Sequence, residues 1–141
     1  MLCADTSFLY SLYGSDAHTA DARAHMHSQS QPLLLSPLNE FELGNALRLA
    51  EHRGLLPGGE AARRLEALDE DHAAGRWRHS DIPLSEIVAE AARISATHTL
   101  TGGHRAFDIL QVAHARLVKP RLFLSFDANQ LRLAKAVGLR C

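Results

Sequence analysis

The sequence predicts a three-layer α/β fold, in which helices cover both faces of a mainly parallel sheet. Short apolar runs alternate along the chain with longer helical patterns. Such alternation is typical of parallel strands joined by crossover helices. The apolar runs are continuous rather than interrupted by polar residues, as expected for strands that are buried on both faces.

The length of the chain, 141 residues with 46% apolar side chains, suits one domain with a full core. At this size, folding buries roughly 70% of the surface of the unfolded chain. Glycine and proline occur singly where elements should end, and they do not cluster into a linker. We therefore expect residues 1–141 to form a single domain.

Most of the predicted elements have a recognisable signal at one end. Asp5 and Asp16 can cap helices, Pro37 suits a first helical position, and Gly54 and Gly75 can end helices. In chain order, the prediction is strand 1–4, helices 8–13 and 16–27, strand 32–36, helices 38–53 and 59–74, strand 77–82, helices 84–99 and 104–118, strand 121–126, helix 127–137 and strand 139–141.

The charge balance argues against two classes of protein. Lys and Arg number 15 and Asp and Glu number 16, which gives a formal charge of −1. A protein that coats DNA non-specifically would show a large basic excess, and a disordered acidic tail a large acidic one. A nuclease is compatible with this balance.

Cysteine usage and hydropathy favour a cytoplasmic protein. Cys3 and Cys141 provide neither a disulfide framework nor a cysteine zinc site. The first residues lack a basic region and include Asp5, unlike a signal peptide. No apolar run approaches the roughly 20 residues of a membrane span. We therefore expect a cytoplasmic location and no membrane partner.

Two acids directly follow predicted strands. Asp5 comes after the first strand and Asp127 after the strand over 121–126. Helix capping explains each aspartate taken singly. However, open parallel sheets bind ligands at the carboxyl ends of their strands, so two acids at that edge favour a functional site.

Two glutamates in the helix predicted over 38–53 lie on different faces. At about 100° per residue, Glu42 shares the core-facing arc with Leu38 and Leu49, whereas Glu40 lies on the opposite, solvated arc. Two interpretations stay open for Glu42, a functional carboxylate or a buried ion pair with an arginine. An unpaired buried carboxylate would cost several kcal/mol or become protonated.

Asp108 lies near the start of the helix predicted over 104–118, with Gln111, Val112 and Ala115 on the same face. The helix dipole stabilises an acid near a helix N-terminus. It does not explain the small and apolar surroundings, so we favour a catalytic role for Asp108.

Four carboxylates at one sheet edge would repel one another and raise each other's pKa, and a bound cation would offset this repulsion. Oxygen ligands select hard ions such as Mg²⁺ or Mn²⁺ over Zn²⁺. A histidine zinc site is disfavoured, because His25 and His27 project about 200° apart on a helix and the other histidines are scattered.

Four segments spread along the chain each carry one of these acids: ADTSFLYSLY, LLLSPLNEFELGNAL, HRAFDILQVAHA and LFLSFDANQLRLAKAVGL. In content and order they resemble the PIN-domain family of metal-dependent nucleases, and especially the VapC-type toxins of bacterial toxin–antitoxin pairs. Two features depart from the family pattern. Asn129 stands where many relatives have arginine, and residues 54–100 carry no family signature.

The resemblance implies the roles of particular residues. Ser7 and Ser125 match small hydroxyl positions that orient the acids or hold a water, although local turn hydrogen bonds explain them equally well. Arg105, three residues before the third acid in a glycine-flanked segment, is a candidate substrate contact. The implied catalytic acids and metal ligands are Asp5, Glu42, Asp108 and Asp127.

The activity implied by the resemblance is hydrolysis of RNA phosphodiester bonds with Mg²⁺ or Mn²⁺ as cofactor. Such toxins commonly dimerise through their early helices and are inhibited by a small antitoxin protein. The segment 17–27 could contribute to either contact, and its plain interpretation is a partly exposed surface helix.

The sequence leaves two other functions open and disfavours a third. A housekeeping RNA-processing nuclease and a non-catalytic RNA- or protein-binding module stay open, although a binding module gains nothing from a self-repelling acidic cluster. A receiver domain has this length and fold class, but it needs adjacent acids after the first strand and a lysine after the last long strand, and the chain has neither.

Overall fold

A four-stranded parallel sheet forms the centre of the computed structural model, which describes all residues 1–141. The spatial order of the strands is β3-β2-β1-β4, and each neighbouring pair is parallel. Leu2 of β1 pairs with Leu33 of β2 and with Leu122 of β4. The strands are β1 Leu2–Ala4, β2 Leu33–Leu35, β3 Trp77–His79 and β4 Leu122–Leu124.

Seven helices connect and flank these strands. Because parallel strands need crossover connections, each gap between consecutive strands contains at least one helix. The helices are α1 Thr6–Tyr13, α2 Thr19–His27, α3 Pro37–His52, α4 Glu60–Ala73, α5 Leu84–Gly102, α6 Ala106–Val118 and α7 Ala128–Ala136.

The core is divided into two clusters, one on each face of the sheet. Along β1, Leu2 and Ala4 belong to the cluster beneath α1 to α4, and Cys3 belongs to the cluster beneath α5 to α7. Along β4, Leu124 and Phe123 divide in the same way, as alternate side chains of a strand must. The predicted three-layer α/β architecture is therefore confirmed.

Several predicted elements begin or end at other residues in the structure; the strand predicted over 77–82, for example, ends at His79. Three further differences are larger or affect a named residue. The strand over 139–141 is wrong: the Arg140 carbonyl accepts one hydrogen bond from the Phe123 amide, 2.8 Å, and a single bond does not make a ladder. The fifth helix continues to Gly102, so that α6 begins only at Ala106. Asp16 does not occupy the N-cap of α2, which is His18.

No helix of the protein combines the length and the apolar character that crossing a membrane requires.

Candidate active site

Asp5 is a buried carboxylate at the junction of β1 and α1. It occupies the N-cap of α1, where Oδ1 accepts hydrogen bonds from the Phe8 amide at 2.9 Å and the Ser7 hydroxyl at 2.7 Å. Oδ2 accepts a hydrogen bond from the Ser125 hydroxyl at 2.6 Å. The side chain is 3% exposed. Asp5 therefore caps α1 and also lies at the carboxyl edge of the sheet, so the two interpretations of this residue are compatible.

The two predicted serines join the ends of the neighbouring strands β1 and β4. Their hydroxyl oxygens are 3.3 Å apart. The Ser7 hydroxyl accepts a hydrogen bond from the Phe126 amide, and the Ser125 hydroxyl accepts one from the Asp127 amide, both at 2.9 Å. The serines thus fix the loop after β4 against the loop after β1, with Asp5 between them.

Glu42 is half-buried on α3 and is held by two polar side chains that sequence reasoning missed. The Thr6 hydroxyl donates a 2.6 Å hydrogen bond to Oε2, and the Gln111 side-chain amide donates to the same oxygen. Gln111 also clasps Thr6, accepting from its amide at 2.8 Å and donating to its hydroxyl at 2.7 Å. No arginine pairs with Glu42, so the ion-pair alternative is wrong.

Glu40, by contrast, points to the other side of α3. Its carboxylate pairs with Nδ1 of His79 at 3.2 Å, and both side chains are partly exposed. The helical arc therefore separated the two glutamates correctly.

Asp127 and Asp108 complete the set of four acids. Asp127 is exposed and occupies the N-cap of α7, where it accepts from the amides of Asn129 at 2.7 Å and Gln130 at 2.9 Å. Asp108 is half-buried in the first turn of α6. Helix starts thus present both acids at the carboxyl edge of the sheet.

Burial and mutual repulsion disfavour the charged forms of three of the acids. Burial raises the pKa of Asp5 to about 6, and the charge of Asp127 adds a smaller rise. The three hydrogen bonds that Asp5 accepts act in the opposite direction but do not cancel the effect of burial. Burial also raises the pKa of Glu42, and the charge of Asp108 adds to the rise. The pKa of Asp108 is raised by burial and then by Asp127, whereas Arg105 and His104 act in the opposite direction.

These interactions form a continuous electrostatic chain of acids, Asp5 to Asp127 to Asp108 to Glu42. As the side chains stand, no three His, Cys, Asp or Glu groups converge closely enough to hold a metal ion. The donor set nonetheless fits a hard cation, because it consists of carboxylate and hydroxyl oxygens whose charges repel one another.

A buried asparagine, also missed by sequence reasoning, ties α3 to the central strand. The Asn39 amide donates to the Ala4 carbonyl at 3.1 Å, and its Oδ1 accepts from the Ser36 amide at 2.9 Å and the Ser36 hydroxyl at 2.8 Å. The signal was present in the sequence, because Asn39 lies three residues after Ser36, the spacing of a capping box.

Solved structures support the fold. VapC20 of Mycobacterium tuberculosis, described as a sarcin-ricin loop cleaving toxin, matches with a TM-score of 0.72 and 19% identity over 99% of this chain and 96% of that chain. PAE2754 of Pyrobaculum aerophilum matches with a TM-score of 0.58 and 22% identity over 95% of this chain and 84% of that one. At these identities the likeness concerns the fold alone.

The comparison with curated protein sequences gave no significant match. A family model, described as the PIN domain, matches residues 2–136, a range that covers nearly the whole chain and includes the four acids. The chain therefore belongs to the PIN domain family.

Proposed function

We propose that the protein is a metal-dependent endoribonuclease that hydrolyses RNA phosphodiester bonds. The observation that carries the proposal is the chain of four acids at the carboxyl edge of the sheet, with the buried Asp5 held between the hydroxyls of Ser7 and Ser125. Such an arrangement is unfavourable unless a cation binds beside it. Membership of the PIN domain family supports a nuclease.

Asp5, Asp108 and Asp127 are the proposed ligands of Mg²⁺ or Mn²⁺, and Glu42 is a further ligand or the base that orients the attacking water. The chemistry that such an ion supplies is a lowered pKa for the water and neutralisation of charge on the phosphate. Asp5 is held rigidly by three hydrogen bonds, which limit the loss of side-chain freedom on binding.

Glu42 suits the task of holding a proton. Because its pKa is raised, Glu42 takes up a proton more readily than an exposed glutamate does. Hydrogen bonds from Thr6 and Gln111 fix one of its carboxylate oxygens. The second oxygen, Oε1, is left for a water or an ion. Arg105, beside Asp108, is the proposed contact for a phosphate of the RNA.

We further propose that the protein is the toxin of a toxin–antitoxin pair. The structural match with a toxin that spans almost the full length of both chains supports this role. The role implies a small antitoxin protein as partner and action on RNA in the cytoplasm. A homodimer is also proposed, and the mass of the purified protein in solution tests it.

The test of the activity is to sequence the RNA ends produced by the wild-type protein and by Asp108→Asn, each in Mg²⁺ and in a chelator. We expect new ends only with wild-type protein and Mg²⁺. Equal cleavage by the folded Asp108→Asn variant, or cleavage unaffected by the chelator, would contradict the assignment. Growth arrest on expression, relieved by a co-expressed partner, distinguishes a toxin from a processing nuclease.

A further inference from the structure

An open groove of about 430 Å³ adjoins the acidic edge of the sheet. Its lining includes three residues of the candidate active site, Thr6, Ser7 and Asp127. It also includes Asp16 and His18, which lie between α1 and α2 and take no part in the proposed chemistry. The groove therefore leads from the acids to a part of the surface outside the proposed catalytic residues.

A stack of aromatic rings forms one part of this groove. The exposed His18 ring lies nearly parallel to Phe126, with centroids 4.4 Å apart and an interplanar angle of 9°. Phe126 stacks in turn on Phe8, at 5.4 Å and 16°, and Phe8 is 3% exposed. Although His18 is the N-cap of α2, its side chain makes no capping hydrogen bond. The stack on Phe126 and the buried Phe8 thus holds the exposed ring of His18 in a fixed orientation in the groove.

Asp16 adds a fixed acceptor to the same groove. Its Oδ1 accepts from the His18 amide and its Oδ2 from the Ser11 hydroxyl, each at 2.8 Å. Oδ1 also accepts a longer hydrogen bond from the Thr19 hydroxyl, at 3.4 Å. Because a carboxylate oxygen can accept more than one hydrogen bond, Oδ2 keeps capacity for another donor. No basic side chain pairs with Asp16. A free carboxylate repels phosphate but accepts hydrogen bonds from the amino groups of bases.

We propose that this groove is a nucleobase subsite, in which a base near the cleaved phosphate stacks on His18 and presents an amino group to Asp16. The proposal rests on the proposed ribonuclease function and adds the part of the substrate that the groove recognises. Stacking accepts any base. The carboxylate favours guanine, adenine and cytosine over uracil, which has no amino group.

The first test uses short single-stranded RNAs that contain a cleavage site, with an abasic nucleotide placed at each flanking position in turn. His18→Ala should raise KM about 5- to 100-fold with little change in kcat, as expected for the loss of one stacked base. His18→Phe should retain the wild-type KM. His52→Ala replaces another exposed histidine and serves as the matched control.

The position of the abasic nucleotide makes this test specific. At one position, the abasic nucleotide should raise the KM of the wild-type protein as much as His18→Ala does. The same abasic nucleotide should not raise the KM of the His18→Ala variant any further. At the same position, Asp16→Asn should reduce the preference for amino-bearing bases over uracil. Equal effects of His18→Ala on abasic and intact RNAs, or an unchanged KM, would overturn the proposal.

A direct binding measurement separates this proposal from the proposed function. Fluorescence anisotropy of the same RNAs with Asp5→Asn reports affinity without cleavage. If the wild-type protein does not cleave RNA but the abasic and His18→Ala losses remain non-additive in binding, the proposed function fails and the subsite stands. If His18→Ala leaves RNA affinity unchanged and weakens only a protein contact, the groove is a protein-docking surface and the proposal is wrong.

Discussion

Asp5 and Ser125 lie 120 positions apart in the chain, yet the Ser125 hydroxyl donates a 2.6 Å hydrogen bond to Oδ2 of Asp5. The bond joins the acid after β1 to the loop after β4, the two adjacent strands at the centre of the site. It also favours the charged form of a carboxylate whose burial raises its pKa to about 6. Ser125 therefore holds the Asp5 carboxylate in place, and we expect it to act as a positioning residue.

We expect Ser125→Ala to lower kcat/KM about 10- to 100-fold, as is typical when a hydrogen bond to a metal ligand is removed. Loss of the donor raises the pKa of Asp5 further, so the acidic limb of the pH profile should move to higher pH. A shifted acidic limb distinguishes the loss of this hydrogen bond from a general loss of packing around the site. Ser95→Ala, in which the lost hydroxyl bonds to Thr99 on α5, is the control; an unmoved acidic limb in Ser125→Ala would contradict the role.

Glu42 and Glu40 provide a matched pair on α3. Glu42→Gln should reduce RNA cleavage on the order of 100-fold or more, the usual contribution of a positioned acid or base. The substituted amide keeps an oxygen for the Thr6 hydroxyl, so thermal stability should change little. Glu40→Gln removes only a partly exposed pair with His79 and should retain activity. Equal activities of the two variants would show that Glu42 has no part in the reaction.

Asp5 should make the metal-free protein less stable as the pH rises. Because its folded pKa of about 6 exceeds the value near 4 of an unfolded aspartate, its stabilising contribution is present at low pH and is lost between about pH 4 and 6. With a chelator at pH 7, Asp5→Asn should be more stable than wild type by about 2–3 kcal/mol. Asparagine also caps helices well.

Denaturant unfolding of both proteins at pH 7 and pH 4.5 measures this effect. The advantage of Asp5→Asn should shrink toward the lower pH, and addition of Mg²⁺ should stabilise only the wild-type protein. A difference that does not vary with pH would mean that Asp5 is not the titrating group.

His114 should produce the opposite pH dependence. This side chain is 1% exposed, its Nε2 has no hydrogen-bond partner, and burial lowers its pKa to about 4. Its stabilising contribution is therefore present above the unfolded pKa near 6.5 and is lost as the pH falls toward 4. On acidification, the free energy of unfolding of His114→Leu should therefore fall by about 3 kcal/mol less than that of the wild-type protein.

The free energy of unfolding of His114→Leu, measured at pH 7 and pH 4.5, checks this expectation against the exposed-histidine variant His52→Gln. A loss on acidification as large as that of wild type would show that His114 titrates normally.

Local patterns in the sequence predicted the fold and the placement of the acids. Asp5 and Asp127 were found because each follows a strand, and Glu42 because a helical arc distinguishes it from Glu40. The arc itself is imperfect, since Leu49 on the predicted core-facing side is 39% exposed. The strand over 139–141 failed because an apolar run does not show whether a ladder partner exists.

The supporting hydrogen bonds could not be predicted in the same way. Gln111 contacts Thr6 across 105 positions and Glu42 across 69. Such pairs are set by how α6 packs against α1 and α3, and no spacing along the chain reports that packing. Asn39 is the exception, because its bond to Ser36 is local.

Calorimetric titration of the metal-free protein with Mn²⁺ tests directly whether the four acids form a cation site. We expect the wild-type protein to bind Mn²⁺ saturably and to release protons near pH 6, because the ion displaces protons from carboxylates of raised pKa. Asp108→Asn should weaken binding at least about 10-fold, whereas Asp69→Asn, at an exposed acid of α4, should bind like wild type. If the wild-type protein does not bind Mn²⁺, or if Asp108→Asn binds it equally well, the four acids do not form the proposed cation site.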